Sequence, residues 1–287
     1  MSQFFVNLKK HTPLFIKVFF RKVLSLFQDL YYRKLLNENL RYKNKYLGES
    51  CFILGNSPSL KDYKLENLSG MKVFSVSRGY LEKNFNTYQP LFHCIANLTY
   101  TNITNGFTKE KAINWFKEID FKINNAEVIL DLKEYNLVVK NNLFPKRNLI
   151  WMKTGQTFSN KLDITKTIPG QMTVIQNAII AAAYMGFKKV YLLGVDLDFY
   201  ETKSYKHFYD SSNLSHQDPS LKPGSDKYAY SRAKILAEAS ELMYSFERLK
   251  DNLKDLNVDI YNCSKSSKLD LFGYIDFEKV LLNNNLK

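Results

Sequence analysis

The feature that most restricts how this chain can fold begins at residue 50, where short apolar runs alternate with stretches long enough to form helices. SCFILG, MKVFSVS, PLFHCIAN, AEVILDL, RNLIWMK, KKVYLLGVD and VDIYNCS each carry four to six residues rich in Val, Ile, Leu, Phe and Tyr. That is the pattern of strands buried on both faces. Two intervening helices stand out. Residues 172–185 are rich in Ala and Ile and stop before Gly186, a natural C-cap residue. Residues 228–254 form a longer, mixed segment with charges on one face. Parallel strands need crossover connections, usually helices, that cover both faces of the sheet. The alternation therefore predicts an α/β fold: a Rossmann-like three-layer sandwich around a mostly parallel sheet. Ligands of such sheets bind outside the carboxyl ends of the strands.

Charge divides the chain unevenly. Of 287 residues, 41 are Lys or Arg and 28 are Asp or Glu, a net charge of +13. Residues 1–47 hold ten of the basic residues against only Asp29 and Glu38, so +8 lies there and +5 in the remainder. After Pro13, apolar residues recur near helical spacing at Phe15, Phe19, Val23, Phe27, Leu30 and Leu35, interrupted by Lys17, Arg21, Lys22, Arg33 and Lys34. A spanning helix needs about 20 apolar residues. The longest uncharged apolar stretch, VLSLF, also falls short of the roughly 7–15 residues of a signal-peptide core. The reading is a basic amphipathic helical extension over 1–48 and one Rossmann-like domain over 49–287. Such a helix suits an anionic inner-membrane surface, which makes the protein cytoplasmic and peripherally membrane-associated. Packing on the domain, or pairing as a homo-oligomer, are the alternatives. No zinc finger, helix-turn-helix or RRM signature accompanies the charge, so nucleic acid is not expected.

With 45% hydrophobic and 15% aromatic residues, the chain can bury a substantial core, which excludes disorder. Cys51, Cys94 and Cys263 are too few and too scattered for a disulfide framework or zinc cluster. Cys51 and Cys94 sit beside apolar runs and read as small buried hydrophobes of a reducing compartment.

Four segments could carry chemistry. Gly55, Asn56 and Ser57 follow the first strand, where a glycine lets backbone N–H groups approach an anion closely; a plain β-turn is the competing reading. Ser77 and Arg78 follow the second strand and Asn97 the third, so both should share one sheet edge with the first turn. Lys166 to Gln171, including Pro169 and Gly170, precede the Ala-rich helix, whose N-terminus would suit a phosphate or carboxylate. Asp196 and Asp198 end the strand KKVYLLG in an Asp-x-Asp pattern that could hold a divalent Mg²⁺ or Mn²⁺. His207 then lies among Tyr205 and Tyr209, where a pKa near neutrality would suit a general base. The connection over about 201–227 exceeds the usual length of a loop in a compact domain and reads as a lid.

With these residues in view, GNSPSL at 55–60, the block at 169–200, Ser204-Tyr205 and the late IYNCSKSSKLD resemble the bacterial sialyltransferases of glycosyltransferase family 42. They are equally similar to the broader domain family containing motility-associated factors and hydroxymethylpterin pyrophosphokinase. The resemblance spans about residues 51–271. It implies a transferase that uses a CMP-activated sugar and needs no obligatory cofactor or metal. Gly55, Asn56 and Ser57 would lie at the CMP phosphate and ribose, Asn97 near the donor, and Pro169-Gly170 beside cytosine. Tyr205 would stabilise the leaving phosphate, with Ser77, Arg78 and Asp196 completing the nucleotide site. The chain departs from the family pattern at three points. The asparagine expected after the second strand becomes Ser77 or Arg78. The Arg-x-Thr-Ser-Gly block becomes Lys166-Thr-Ile-Pro-Gly170. The base histidine aligns near residues 228–230, where Tyr228 stands, so His207 is the preferred substitute, with His216 behind it.

The resulting expectation is a glycosyltransferase of bacterial surface-glycan biosynthesis (lipopolysaccharide or capsule). It would move a sialic acid-like or Kdo sugar from a CMP donor to a glycan or lipid-linked glycan acceptor. The alternatives are a metal-dependent UDP- or GDP-sugar transferase using Asp196 and Asp198, a pterin-type diphosphotransferase, and a non-catalytic scaffold of a glycan-assembly complex.

Overall fold

A computed structural model describes residues 30–96, 98, 108–155, 161–201, 207–210 and 231–285. The expected residues Asn97, Tyr205, Tyr228 and His216, the amphipathic segment before residue 30 and most of the lid lie outside these.

All seven anticipated strands are present: β1 (Ser50–Leu54), β2 (Val73–Val76), β3 (Phe92–Cys94), β4 (Glu127–Asp131), β5 (Leu149–Gly155), β7 (Lys189–Leu193) and β8 (Asp259–Asn262). Two more, β6 (Thr167–Pro169) and β9 (Gly273–Tyr274), lengthen the sheet at opposite edges. Three and two residues are too short to leave a periodic signal, and Pro169 reads as a strand breaker unless the strand lies at an edge, as β6 does. The nine strands run β6-β5-β4-β3-β2-β1-β7-β8-β9, every neighbouring pair parallel. The α/β expectation is therefore met.

Residues of β1 alternate between two apolar layers. Cys51 and Ile53 face one, Phe52 and Leu54 the other. The first layer is covered by α3 (Val174–Tyr184) and α4 (Arg232–Leu253), the second by α1 (Lys109–Lys122), α2 (Tyr135–Lys140) and α5 (Phe277–Asn285). With both faces covered, period-2 polarity is absent and the strands read as continuous apolar runs. Helix α3 begins one residue after Thr173, whose side chain and that of Gln176 form a capping box. All three cysteines are reduced and buried, and burial pushes their thiol pKa values upward, the state of inert core cysteines.

The packed body starts before residue 49. Residues 30–37 are helical, and Leu36, Asn39, Tyr42 and Tyr46 are buried. Leu36 belongs to one apolar layer, Tyr42 and Tyr46 to the other. The segment thus passes around the β5 edge of the sheet. There Asn39 Nδ2 donates to the Trp151 carbonyl at 2.7 Å and to the Ile164 carbonyl at 2.9 Å. β6 pairs with β5 only from Lys153 onward, so Asn39 occupies the edge position that a longer β6 would fill.

Removing that side chain should leave two buried carbonyls unsatisfied. Asn39→Ala is expected to lower unfolding free energy by about 2 kcal/mol in urea denaturation, with the slope unchanged. A loss below a few tenths of a kcal/mol would show that the edge needs no such cover.

Candidate active site

The strand order reverses once. Strands β1 to β6 run outward in one direction, and the chain then returns to place β7 on the other side of β1. At such a switch point the two exit loops diverge, and a crevice opens in front of the sheet.

Here the exit loops touch before they part. Gly55 N–H donates to the Leu193 carbonyl at 2.7 Å and Ser57 N–H to the Gly194 carbonyl at 3.0 Å. A Cβ on Gly55 would lie 2.1 Å from the Gly194 oxygen, so only glycine permits the approach. Gly194 itself has φ +65 and donates its N–H to Ser264 Oγ at 2.9 Å. Asp196 completes the clasp: its N–H donates to Ser57 Oγ at 3.1 Å, and its carboxylate accepts from the Ser59 N–H and hydroxyl. From the connection after β8, Ser267 Oγ donates to the Val195 carbonyl and Lys268 N–H to that of Asp196. Burial raises the Asp196 pKa, while the Ser59 hydrogen bonds pull it down.

Two expectations need correction here. The Gly55 and Ser57 amides are occupied by the protein's own carbonyls, so they do not form an anion cradle. Asp196 is buried with both carboxylate oxygens turned to Ser59, so it holds the turn rather than a ligand. Among the described residues no group of three or more His, Cys, Asp and Glu side chains gathers in metal-binding array.

In front of the clasp lies a cavity of about 390 Å³. Gly55, Asn56, Ser57, Ser77, Arg78, Asp198 and His207 all line it, so the structure gathers most of the residues singled out from the sequence. Asn56 Nδ2 donates to the Val76 carbonyl at 3.3 Å, while its buried Oδ1 has no hydrogen-bond partner among the described residues. A buried acceptor left open in a cavity wall is suited to a ligand donor. Ser77 has φ +48 and lies above buried His93, whose Nε2 is 3.1 Å from the Ser77 carbonyl and whose Nδ1 is 2.7 Å from Ser75 Oγ. Burial depresses the His93 pKa to about 3, so it stays neutral and takes part through hydrogen bonds alone.

Arg78 is only 4% exposed. Its guanidinium donates to Tyr80 Oη at 3.2 Å, lies 4.0 Å from Glu118 and sits over the Trp115 ring at 5.3 Å. It therefore builds the wall jointly with α1. Opposite, Val174 and Ile175 in the first turn of α3 line the cavity. Their amides precede the first intrahelical acceptor and stand at the positive end of the helix dipole. Pro169 and Gly170 are not in the wall; Gly170 N–H instead donates to the Gly155 carbonyl, closing the β5–β6 edge.

Of the segment read as a lid, residues 207–210 are described, and His207 and Tyr209 line the cavity. Phe208 N–H donates to the Asn56 carbonyl at 3.0 Å, and the His207 and Tyr209 rings stack at 4.9 Å with an angle of 20°. The lid and the first turn are thus directly joined.

Two further residues escaped the sequence reading: Trp115 in the cavity wall, and Glu134, which hydrogen-bonds the wall residue Leu98. Trp115 lies on an amphipathic helix, where an aromatic residue reads as core. Glu134 follows β4 and is 1% exposed; its Oε1 accepts from Leu98 N–H at 3.2 Å, and its buried Oε2 has no partner among the described residues. Burial, with nearby Asp131 adding to it, raises its pKa from 4.5 to about 7, against the lowering effects of the Leu98 bond and Lys133. No local sequence signal marks a glutamate that will be buried.

No family model matches the chain, and no curated protein matches it. Among solved structures it is similar to three sialyltransferase structures, two of them described as from Campylobacter jejuni. CstII with a substrate analogue, CMP-3FNeuAc, shares 14% identity over 79% of this chain and 86% of that one, at a TM-score of 0.44. CST-II with a trisaccharide acceptor and CMP shares 15% over 78% and 85%, at 0.43. The monofunctional α-2,3-sialyltransferase Cst-I shares 17% over 80% and 81%, at 0.47.

Glu134, bonded to the wall residue Leu98, gives the protein a pH signature. Its raised pKa contributes stability that is fully present below about pH 4.5 and lost as the pH rises through about 7. Glu134→Gln should remove this slope and gain up to about 3 kcal/mol on the parent between those limits, as read by denaturation at a series of pH values. A constant difference between the two proteins across that range would mean the carboxyl is ionised in the native state.

Proposed function

We propose that the chain is a glycosyltransferase that uses a CMP-activated sugar and transfers it to a glycan acceptor. One observation carries this reading: the cavity lies at the strand-order reversal, lined by strand-end polar groups, a helix N-terminus and the aromatic segment with His207 and Tyr209. A nucleotide needs these three surfaces. Its phosphate suits the α3 N-terminus, where the Val174 and Ile175 amides and the helix dipole favour negative charge. Its ribose or base can donate a hydrogen bond to the open Asn56 Oδ1. Its planar base suits the apolar and aromatic walls.

Transfer joins an acceptor hydroxyl oxygen to the anomeric carbon while the bond from that carbon to the CMP phosphate oxygen breaks. The hydroxyl proton goes to a base, and the charge developing on the departing phosphate is stabilised by fixed dipoles. His207, on the cavity wall and stacked on Tyr209, is our candidate base. The role of Tyr205 at the leaving phosphate, and those of Asn97 and Tyr228, are part of the same proposal. The acid-bearing donor classes, sialic acid-like sugars and Kdo, and an acceptor in surface-glycan assembly complete it.

CMP at about a hundredfold excess over its Kd should raise Tm by roughly 5–10 °C, and UDP by clearly less. No shift with CMP would remove the nucleotide assignment. With a transferable donor in hand, His207→Ala should lower kcat by about 100-fold or more while leaving CMP affinity within about threefold. Unaltered turnover in that variant would place the base elsewhere.

A further inference from the structure

Strand β3 places a histidine between Phe92 and Cys94, and that histidine is fully buried. A polar side chain in such a place lowers stability unless its hydrogen-bonding atoms are satisfied, and an apolar one would fill the layer without that demand. What the imidazole contributes lies in what its two nitrogens hold.

The parallel pairing of β2 and β3 sets Ser75 opposite His93, with Ser75 Oγ 2.7 Å from Nδ1. On the other side Nε2 lies 3.1 Å from the Ser77 carbonyl. A carbonyl only accepts, so Nε2 carries the proton. Nδ1 is then the acceptor, and the Ser75 hydroxyl turns to it rather than to the Phe92 carbonyl at 3.5 Å. The network fixes one tautomer and uses both nitrogens.

Ser77 is the residue this arrangement serves. Its N–H donates to the Cys94 carbonyl at 2.8 Å, so residues 93 and 94 grip both of its backbone groups. Its φ of +48 lies in the left-handed region, which a residue with a Cβ keeps only when its surroundings require it. Ser77 also lines the cavity, and its hydroxyl has no hydrogen-bond partner among the described residues. Without the His93 bond, relaxation toward negative φ would redirect that side chain.

We propose that His93 is a positioning residue: its Nε2–H holds Ser77 in the left-handed conformation, and that conformation keeps the Ser77 hydroxyl available to the ligand of the cavity. The identity of this ligand as a CMP-sugar rests on the glycosyltransferase reading. The hold on Ser77 does not.

Two variants separate the contacts of the ring. His93→Asn leaves an amide that accepts from Ser75 but is too short to reach the Ser77 carbonyl. His93→Gln, one methylene longer, brings a donor near the Nε2 position. Calorimetric titration with CMP should give a Kd about tenfold weaker for H93N and within about threefold of the parent for H93Q, the scale of one hydrogen bond. Ser77→Gly adopts a positive φ freely but lacks the hydroxyl, so it should weaken CMP by a comparable factor. H93N/S77G should then bind no more than about twofold more weakly than S77G, because both changes act through one group. A parent-like Kd in H93N would overturn the proposal, as would equally weak binding in H93N and H93Q. So would an H93N effect as large in the S77G background as in the parent, since His93 would then act through the core. A readout independent of any ligand is the tautomer. Long-range ¹H–¹⁵N spectra of the parent, with the His93 signals identified by their absence in H93Q, should show Nε2 protonated and Nδ1 bare. A proton on Nδ1 would overturn the hold on Ser77. If the parent does not bind CMP, the transferase reading falls, and the tautomer still decides for or against His93.

Discussion

Everything at the working end of this protein depends on two glycine turns in direct contact. Gly55 leaves β1 and Gly194 leaves β7 close enough that their backbones hydrogen-bond, and no side chain fits between them. Parallel strands flanking a switch point must send their connections in opposite directions, and this contact holds both exits together for one residue before they separate. The crevice is the space that separation creates. Asp196 and Ser57, Ser59, Ser264 and Ser267 then fasten the two turns and the start of the β8 exit into one unit. A cavity floor built this way is preorganised, because its geometry is fixed by buried hydrogen bonds rather than by the ligand.

The walls follow a different logic. They come from elements distant in sequence, each bringing one kind of surface: a neutral histidine holding a left-handed serine, an arginine stacked on a tryptophan, the first turn of a helix and an aromatic lid segment. The floor is rigid, whereas the lid joins it through the Phe208–Asn56 backbone bond. Phe208 is also buried among the apolar side chains of the second layer, so packing as well as this bond holds residues 207–210 to the turn.

The strands were legible in the sequence because burial on both faces selects the same residue types at every position, and seven runs announced themselves. The short edge strands were not, since β6 and β9 owe their pairing to a neighbour rather than to their own composition. The first turn was legible as a site because glycine, asparagine and serine at a strand end have few uses. What it does with its amides was not legible, because the acceptors lie about 140 residues away on β7. Asp196 was read as a ligand-facing acid from its place in Asp-x-Asp; Leu197 between the two acids adopts φ +52, and while Asp196 turns to Ser59, Asp198 lines the cavity.

By itself, then, the sequence determined the α/β class, the direction of the sheet and seven of the residues that line the cavity at its carboxyl edge. Those properties follow from local patterns, in which hydrophobic periodicity and turn chemistry act over a few residues. Only the tertiary structure decided which polar groups face the cavity and which face each other, that Trp115 lines it with Glu134 bonded behind to Leu98, and that residues 36–46 wrap the sheet edge. These depend on strand order and crossover, which bring together groups 40 to 200 residues apart, and no local pattern encodes which of two nearby serines will be nearest to a given carboxylate.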